Sequence, residues 1–238
     1  MSIRFVRIEC PKCGHAFEMS EVDVFRTRVP IRLPRFTEIE IHDKGRLPHW
    51  EVHEGTYFVT FRLADSLPES FMQPLKAKRR KMESQVRVRG LALTPEVKRK
   101  ISARLNLHVE KALDSCHGAC VLRDHSNAEI VAATLHFFDG ERCHLYSWCI
   151  MPNHVHVVFR LLGEHKLADL IKSWKVFSAK EINKLLSGSG KLWAREYFDR
   201  LIRDEEHFER AARYVMDNPA RAGLDGWKWV WMRNGSMM

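Results

Sequence analysis

The sequence predicts an α+β fold, one mostly antiparallel sheet with helices on one face. From residue 55 onward the apolar periodicity runs β, α, α, β, β, α, β, α, with a last short strand. Two β runs between 143 and 161 are parted only by Met151-Pro152-Asn153, a link short enough for a hairpin and therefore for antiparallel pairing. The chain of 238 residues, 45% hydrophobic and 29% charged, has ordinary globular composition and enough length to bury a core.

The elements follow in order. "GTYFVTFRLA", 55–64, reads as a strand with Tyr57, Val59 and Phe61 opposite Phe58 and Thr60. "SLPESFMQPLKAKRRKMESQ" opens as a turn and becomes a basic helix. "TPEVKRKISARLNLHVEKALD", 94–114, is a helix with Thr94 as N-cap, Pro95 at the first turn, and Val97, Ile101, Leu105 and Val109 at helical spacing. "CHGACVLRDHS" reads as a loop with a short strand. A helix over 127–142 is expected to start at Asn127 and end at the Asp139-Gly140 turn. Residues 166–186 form an amphipathic helix, and "SGSGKLWAREYFDRLI" a flexible turn and a strand. Residues 204–224 form a helix with acids in its first turn and Pro219 as its stop. "GWKWVWM" closes the chain as a strand.

Residues 1–45 read as an N-terminal extension and 46–238 as the main domain. The extension carries "CPKCGH", one knuckle of a zinc ribbon. No second Cys-x-x-Cys follows Cys10 and Cys13, so zinc there needs His15, or Cys116 or Cys120 from far away, and is not the favoured reading. No apolar run reaches the roughly 20 residues of a membrane span, and the first residues have no signal-peptide core. Scattered cysteines fit a reducing compartment, and a cytoplasmic protein without membrane contact is expected.

The net charge is +9, and the segment 76–104 alone holds 11 Lys and Arg against 2 Glu. Such a tract points to a polyanion, most often nucleic acid; its plainer reading is a solvated basic helix face. Lys78, Arg79, Arg80 and Lys81 in the tract, with Lys172, Lys175, Arg195 and Arg203 outside it, are the candidate phosphate contacts. Trp174 and Trp193 are either base-stacking platforms or, the favoured reading, packing residues.

In "MPNHVHVVF" strand alternation puts His154 and His156 on one face and Val155, Val157 and Phe159 on the other. Two residues along a strand span about 7 Å, which lets both imidazoles reach one cation. Such a pair also arises by chance. In "RYVMDNPARAGL", Tyr214 and Asn218 are four apart and share a helix face. They are either packing residues at a helix end or, if that face covers the histidines, a nucleophile and a third ligand for Mg²⁺ or Mn²⁺.

"RLPHWEVHEGTYFVTFRLADSLP", "MPNHVHVVF", "LWAREYFDRLIRDEEHFERAARYV" and "NPARAGL", in this order, resemble the REP-associated tyrosine transposases of the insertion-sequence-200-like, single-tyrosine HUH group. The resemblance spans about 46–232. It implies a ferredoxin-like α+β fold (the HUH endonuclease fold) and a metal-dependent enzyme that cleaves and rejoins single-stranded DNA through a 5′-phosphotyrosine. It implies hairpin-forming palindromic repeats as substrate, and a monomer or homodimer. Carried over by motif, the two HUH histidines are His154 and His156, the nucleophile is Tyr214 and the third metal ligand Asn218. The Cys-x-x-Cys extension and "GLDGW" after the last helix depart from the pattern without touching these four. A domesticated DNA-binding protein without transposition is the alternative reading.

Overall fold

The computed structural model describes residues 5–9, 16–20, 40–42 and 49–233, with side chains over 52–233. The proposed zinc pair Cys10 and Cys13 lies outside the described residues. In the N-terminal part, β1 (Phe5–Glu9) pairs antiparallel with β2 (Ala16–Ser20), and β3 (Glu40–His42) with β4 (His49–Glu51).

The main sheet has five antiparallel strands: β5 (Thr56–Leu63), β6 (Cys143–Met151), β7 (His154–Leu161), β8 (Trp193–Leu201) and β9 (Val230–Met232). Their order is β8-β5-β7-β6-β9. β5 and β6 run the same way with β7 antiparallel between them, the split βαβ of a ferredoxin-like sheet, and β9 extends the β6 edge. Met151 pairs with His154 across the expected tight turn, and Leu63 N–H donates to Asn153 O at 2.9 Å, tying that turn to the end of β5.

Three helices lie between β5 and β6: α1 (Glu69–Val88), α2 (Pro95–Asp114) and α3 (His125–Phe137). The Thr94 hydroxyl caps α2 by accepting from Val97 N–H. The segment read as a short strand is a 3-10 turn, Val121–Arg123, because Cys116 and Cys120 both take left-handed φ and fold the chain back on itself. Asp124, not Asn127, starts α3: its carboxylate accepts from the backbone of Ser126 and Asn127. The Asn127 amide instead donates to Val121 O at 2.8 Å and holds the 3-10 turn. α3 stops at Phe137, short of the expected Asp139-Gly140 turn.

α4 (Leu167–Leu185) joins β7 to β8, and α5 (Glu205–Arg221) follows β8 with Asp204 as its cap. Pro219 does not end α5. It sits in the last turn, where its missing N–H costs one hydrogen bond, and the helix runs on to Arg221.

Alternation divides the sheet into two packed faces. Val59, Phe61, Trp148, Ile150, Val155, Val157 and Phe159 bury against α3 and α4. Phe58, Tyr146, Cys149, Met151 and Val158 bury against α5 through Phe208, Ala211, Ala212 and Val215. Helices therefore cover both faces, not one. A sheet whose alternate residues are apolar on each side needs two covers. The small Ala211 and Ala212 let α5 sit close to the sheet, and that position sets the height of Tyr214 over β7.

Candidate active site

β7 is the central strand, so His154 and His156 are not edge residues; both are 0% exposed. Across the ladder, His156 lies opposite Thr60 of β5 and Cys149 of β6, and His154 opposite Arg62 and Met151. Burial pushes the His154 imidazole down from the usual 6.5 to about 3.

 Burial, then the neighbouring His154 and Arg221, hold His156 well below its usual value as well. Both rings are neutral at physiological pH, the form that ligates a metal.

Their hydrogen bonds form one chain. Asn153 Nδ2 donates to His117 O at 3.1 Å, which turns Asn153 Oδ1 toward His154 Nδ1, 2.7 Å away. His154 Nδ1–H then donates to Asn153, leaving His154 Nε2 with a free lone pair. His156 Nε2 lies 3.0 Å from that atom and donates to it, and His156 Nδ1, 2.8 Å from Thr60 Oγ1, accepts from the hydroxyl. A cation bound by both Nε2 atoms needs His156 protonated on Nδ1 instead. Thr60 permits this, because a hydroxyl also accepts.

α5 brings Tyr214 onto this pair. Its ring meets the His156 ring edge-on at 5.2 Å between centroids and the Phe58 ring at 5.7 Å, while Phe58 stacks on His156 at 5.5 Å. Arg221, two turns on, places its guanidinium carbon 5.1 Å from the Tyr214 ring centre. Burial raises the Tyr214 pKa, and Glu110 and Asp114 of α2 raise it further; Arg221 and Asn218 act the other way. The resting side chain is the phenol. Asn218 is 1% exposed, and neither atom of its carboxamide has a hydrogen-bond partner of regular geometry, so its contact with Tyr214 is a weak one.

The four residues expected to form the site therefore come from β7 and α5, with Tyr214 in ring contact with His156 and Asn218 buried one turn further on. Among the described residues, no group of three or more His, Cys, Asp or Glu is placed to hold a metal. The donor set suited to a divalent cation is two neutral imidazoles and an unpaired carboxamide, a mixed N/O set.

The eight candidate phosphate contacts separate into patches. Lys78, Arg80 and Lys81 are exposed on α1; Lys78 Nζ lies 2.7 Å from His108 Nε2, and Arg79 is partly buried, donating to Ser102. Lys172 and Lys175 of α4 and Arg195 of β8 line a groove, in which Lys175 donates to Arg195 O at 2.9 Å. Arg203 is exposed between β8 and α5, and after burial it is the next cause of the lowered Arg99 pKa. Trp174 and Trp193 are buried core residues, and Trp193 Nε1 donates to Ser178 Oγ at 3.0 Å. Sequence reasoning missed Thr60, Asn153 and Arg221. Asn153 was adjacent to the motif, Arg221 lay seven residues from Tyr214 on its own helix, and Thr60 had no local signal.

A ferredoxin-like sheet with paired imidazoles on its central strand and a tyrosine-bearing helix across them defines the class: an α+β domain with a histidine–tyrosine centre. Residues 118–218 match the family model described as transposase, IS200-like. His154, His156, Tyr214 and Asn218 all fall within it. No curated protein matches the chain. Among solved structures, a REP-associated tyrosine transposase bound to a REP hairpin is 13% identical, with TM-score 0.39, over 76% of this chain and 79% of that one. A Deinococcus radiodurans R1 protein assigned as a transposase is 14% identical, with TM-score 0.28, over 74% of this chain and 98% of that one.

Proposed function

We propose that this protein is a metal-dependent endonuclease and strand transferase for single-stranded DNA, acting on hairpin or palindromic repeats as the REP-associated branch does. The reading places it in the cytoplasm, with residues 46–238 as the catalytic unit and 1–45 as an accessory arm. The observation that carries it is the contact of Tyr214 with His156 beside an unpaired, buried Asn218.

His154 and His156 through Nε2, and Asn218 through its carbonyl oxygen, would hold Mg²⁺ or Mn²⁺. Bound there, the cation would polarise a phosphate oxygen as a Lewis acid. The protein's own groups do the rest. The Tyr214 oxygen attacks phosphorus in line as the phenol proton leaves to solvent. The bond from phosphorus to O3′ breaks, O3′ takes up a proton, and the 5′-phosphate stays on Tyr214. A second 3′-hydroxyl reverses the step and rejoins DNA. Arg221 stabilises charge on the phenolate and on the phosphate beside it. Asn153 and Thr60 fix the imidazole orientations.

The test is a nicking assay on single-stranded hairpins drawn from repeats that flank the protein's own gene. Cleavage with Mn²⁺ and none with EDTA supports the reading. Tight hairpin binding with no cleavage under either condition would replace it with the DNA-binding alternative.

A further inference from the structure

A cavity of about 530 Å³ lies between the α1–α2 pair and the sheet, outside the histidine–tyrosine centre but touching it. Its floor includes Thr60 and Phe198, which are paired across β5 and β8. Its other wall is α1 and α2, with Leu75, Leu105 and Val109 among the apolar side chains and Asn106 among the polar ones. Six cationic residues line it, Arg62, Lys76 and Arg80 among them, against three carboxylates. Thr60 connects it to the centre, because the same hydroxyl is 2.8 Å from His156 Nδ1. Glu110, a wall residue, acts on the Tyr214 phenol.

We propose that this cavity binds one unpaired nucleotide of the DNA, the one flanking the phosphate presented to Tyr214. The inference rests on the proposed DNA-cleaving reading and adds a base-binding subsite to it. Its volume falls in the few hundred to about 1,000 Å³ usual for small-ligand sites. Apolar walls and the Phe198 ring take the faces of a base, Asn106 offers a donor and an acceptor to its edge, and the cationic lining takes the backbone phosphate. α1 and all of α2 precede the segment matched to the family, so the helical wall of this subsite is built by a part of the chain beyond that match, while Phe198 of its floor lies within it. A free nucleotide monophosphate would find the same walls, but only DNA also engages the tyrosine.

The experiment measures fluorescence anisotropy of hairpin DNA with single-stranded flanks, one abasic position at a time, on full-length Tyr214→Phe protein with Mn²⁺. The proposal expects one flank position, or two neighbours, at which loss of the base weakens binding about tenfold. Adding Val109→Trp, which fills the cavity from a half-exposed wall, removes that dependence and leaves affinity for the flankless hairpin unchanged. Leu75→Trp does the same from the opposite helix if circular dichroism shows Val109→Trp misfolded. A position-independent response, or a base dependence that survives both fillings, overturns the subsite alone. Absence of any DNA binding overturns the DNA-cleaving reading, and the subsite with it.

Discussion

The Nε2 atoms of His154 and His156 face each other at 3.0 Å inside the sheet, and the Nδ1 atoms are held from outside by Asn153 and Thr60. Two buried neutral rings meeting in this way have one shared proton, and a divalent cation would take its place.

Asn218→Leu leaves the cation-free protein as stable as wild type, or about 1 kcal/mol more stable, because it removes a buried carboxamide that makes no regular hydrogen bond. Mn²⁺ raises the wild-type melting temperature by mass action, and the variant loses most of that increment. Thermal unfolding in Mn²⁺ and in EDTA reads both. A loss of several kcal/mol in EDTA would mean that Asn218 is a packing residue.

Thr60→Val leaves His156 without the partner that receives its Nδ1 proton, and the expected loss in Mn²⁺ affinity is about ten- to a hundredfold. Thr60→Ser restores it. Titration calorimetry compares the three proteins, and equal affinities would remove Thr60 from the centre.

Stability falls as pH drops below about 6.5. Burial holds His136 down to about 4, and it accepts from Trp148 Nε1 at 3.0 Å as a neutral ring. His154 is held to about 3. Between these values and 6.5 the unfolded chain binds protons that the native one does not, so unfolding gains about 1.4 kcal/mol per pH unit per ring. The stabilisation is fully present above 6.5 and lost on the way down. Denaturant unfolding at pH 7 and pH 5 measures the slope, and His136→Gln makes it shallower. A flat profile would mean that the rings protonate without cost in the fold.

DNA binding weakens steeply with salt if α1 holds phosphates. Lys78→Ala and Lys81→Ala each lower the slope of log K against log salt by about 0.7 for single strands. An unchanged slope would return α1 to a solvated face.

The strands, the tight turn at 151–153 and the pairing of Tyr214 with Asn218 were legible because each rests on a local period or spacing. The Thr60–His156 bond joins residues 96 apart, and no local pattern announces it. The second covered face was hidden for the same reason: β7 is wholly apolar on one side and carries His154, His156, Val158 and Arg160 on the other, and only the placement of α5 shows what covers that side. Pro219 misled because a proline in a last turn costs a single bond, less than the packing of Phe208, Ala212 and Val215 against the sheet retains. Asn127 and Asp124 both suit a cap, and the 3-10 turn before α3 decided between them.

The central claim is that Tyr214 is the nucleophile of this centre. Wild-type protein, Tyr214→Phe and His156→Ala are each incubated with labelled single-stranded hairpin DNA and Mn²⁺, then run on a denaturing gel. The account predicts a covalent protein–DNA band for wild type alone, with a 5′-phosphate on Tyr214 found by peptide mass spectrometry. A band of equal strength from Tyr214→Phe would contradict it.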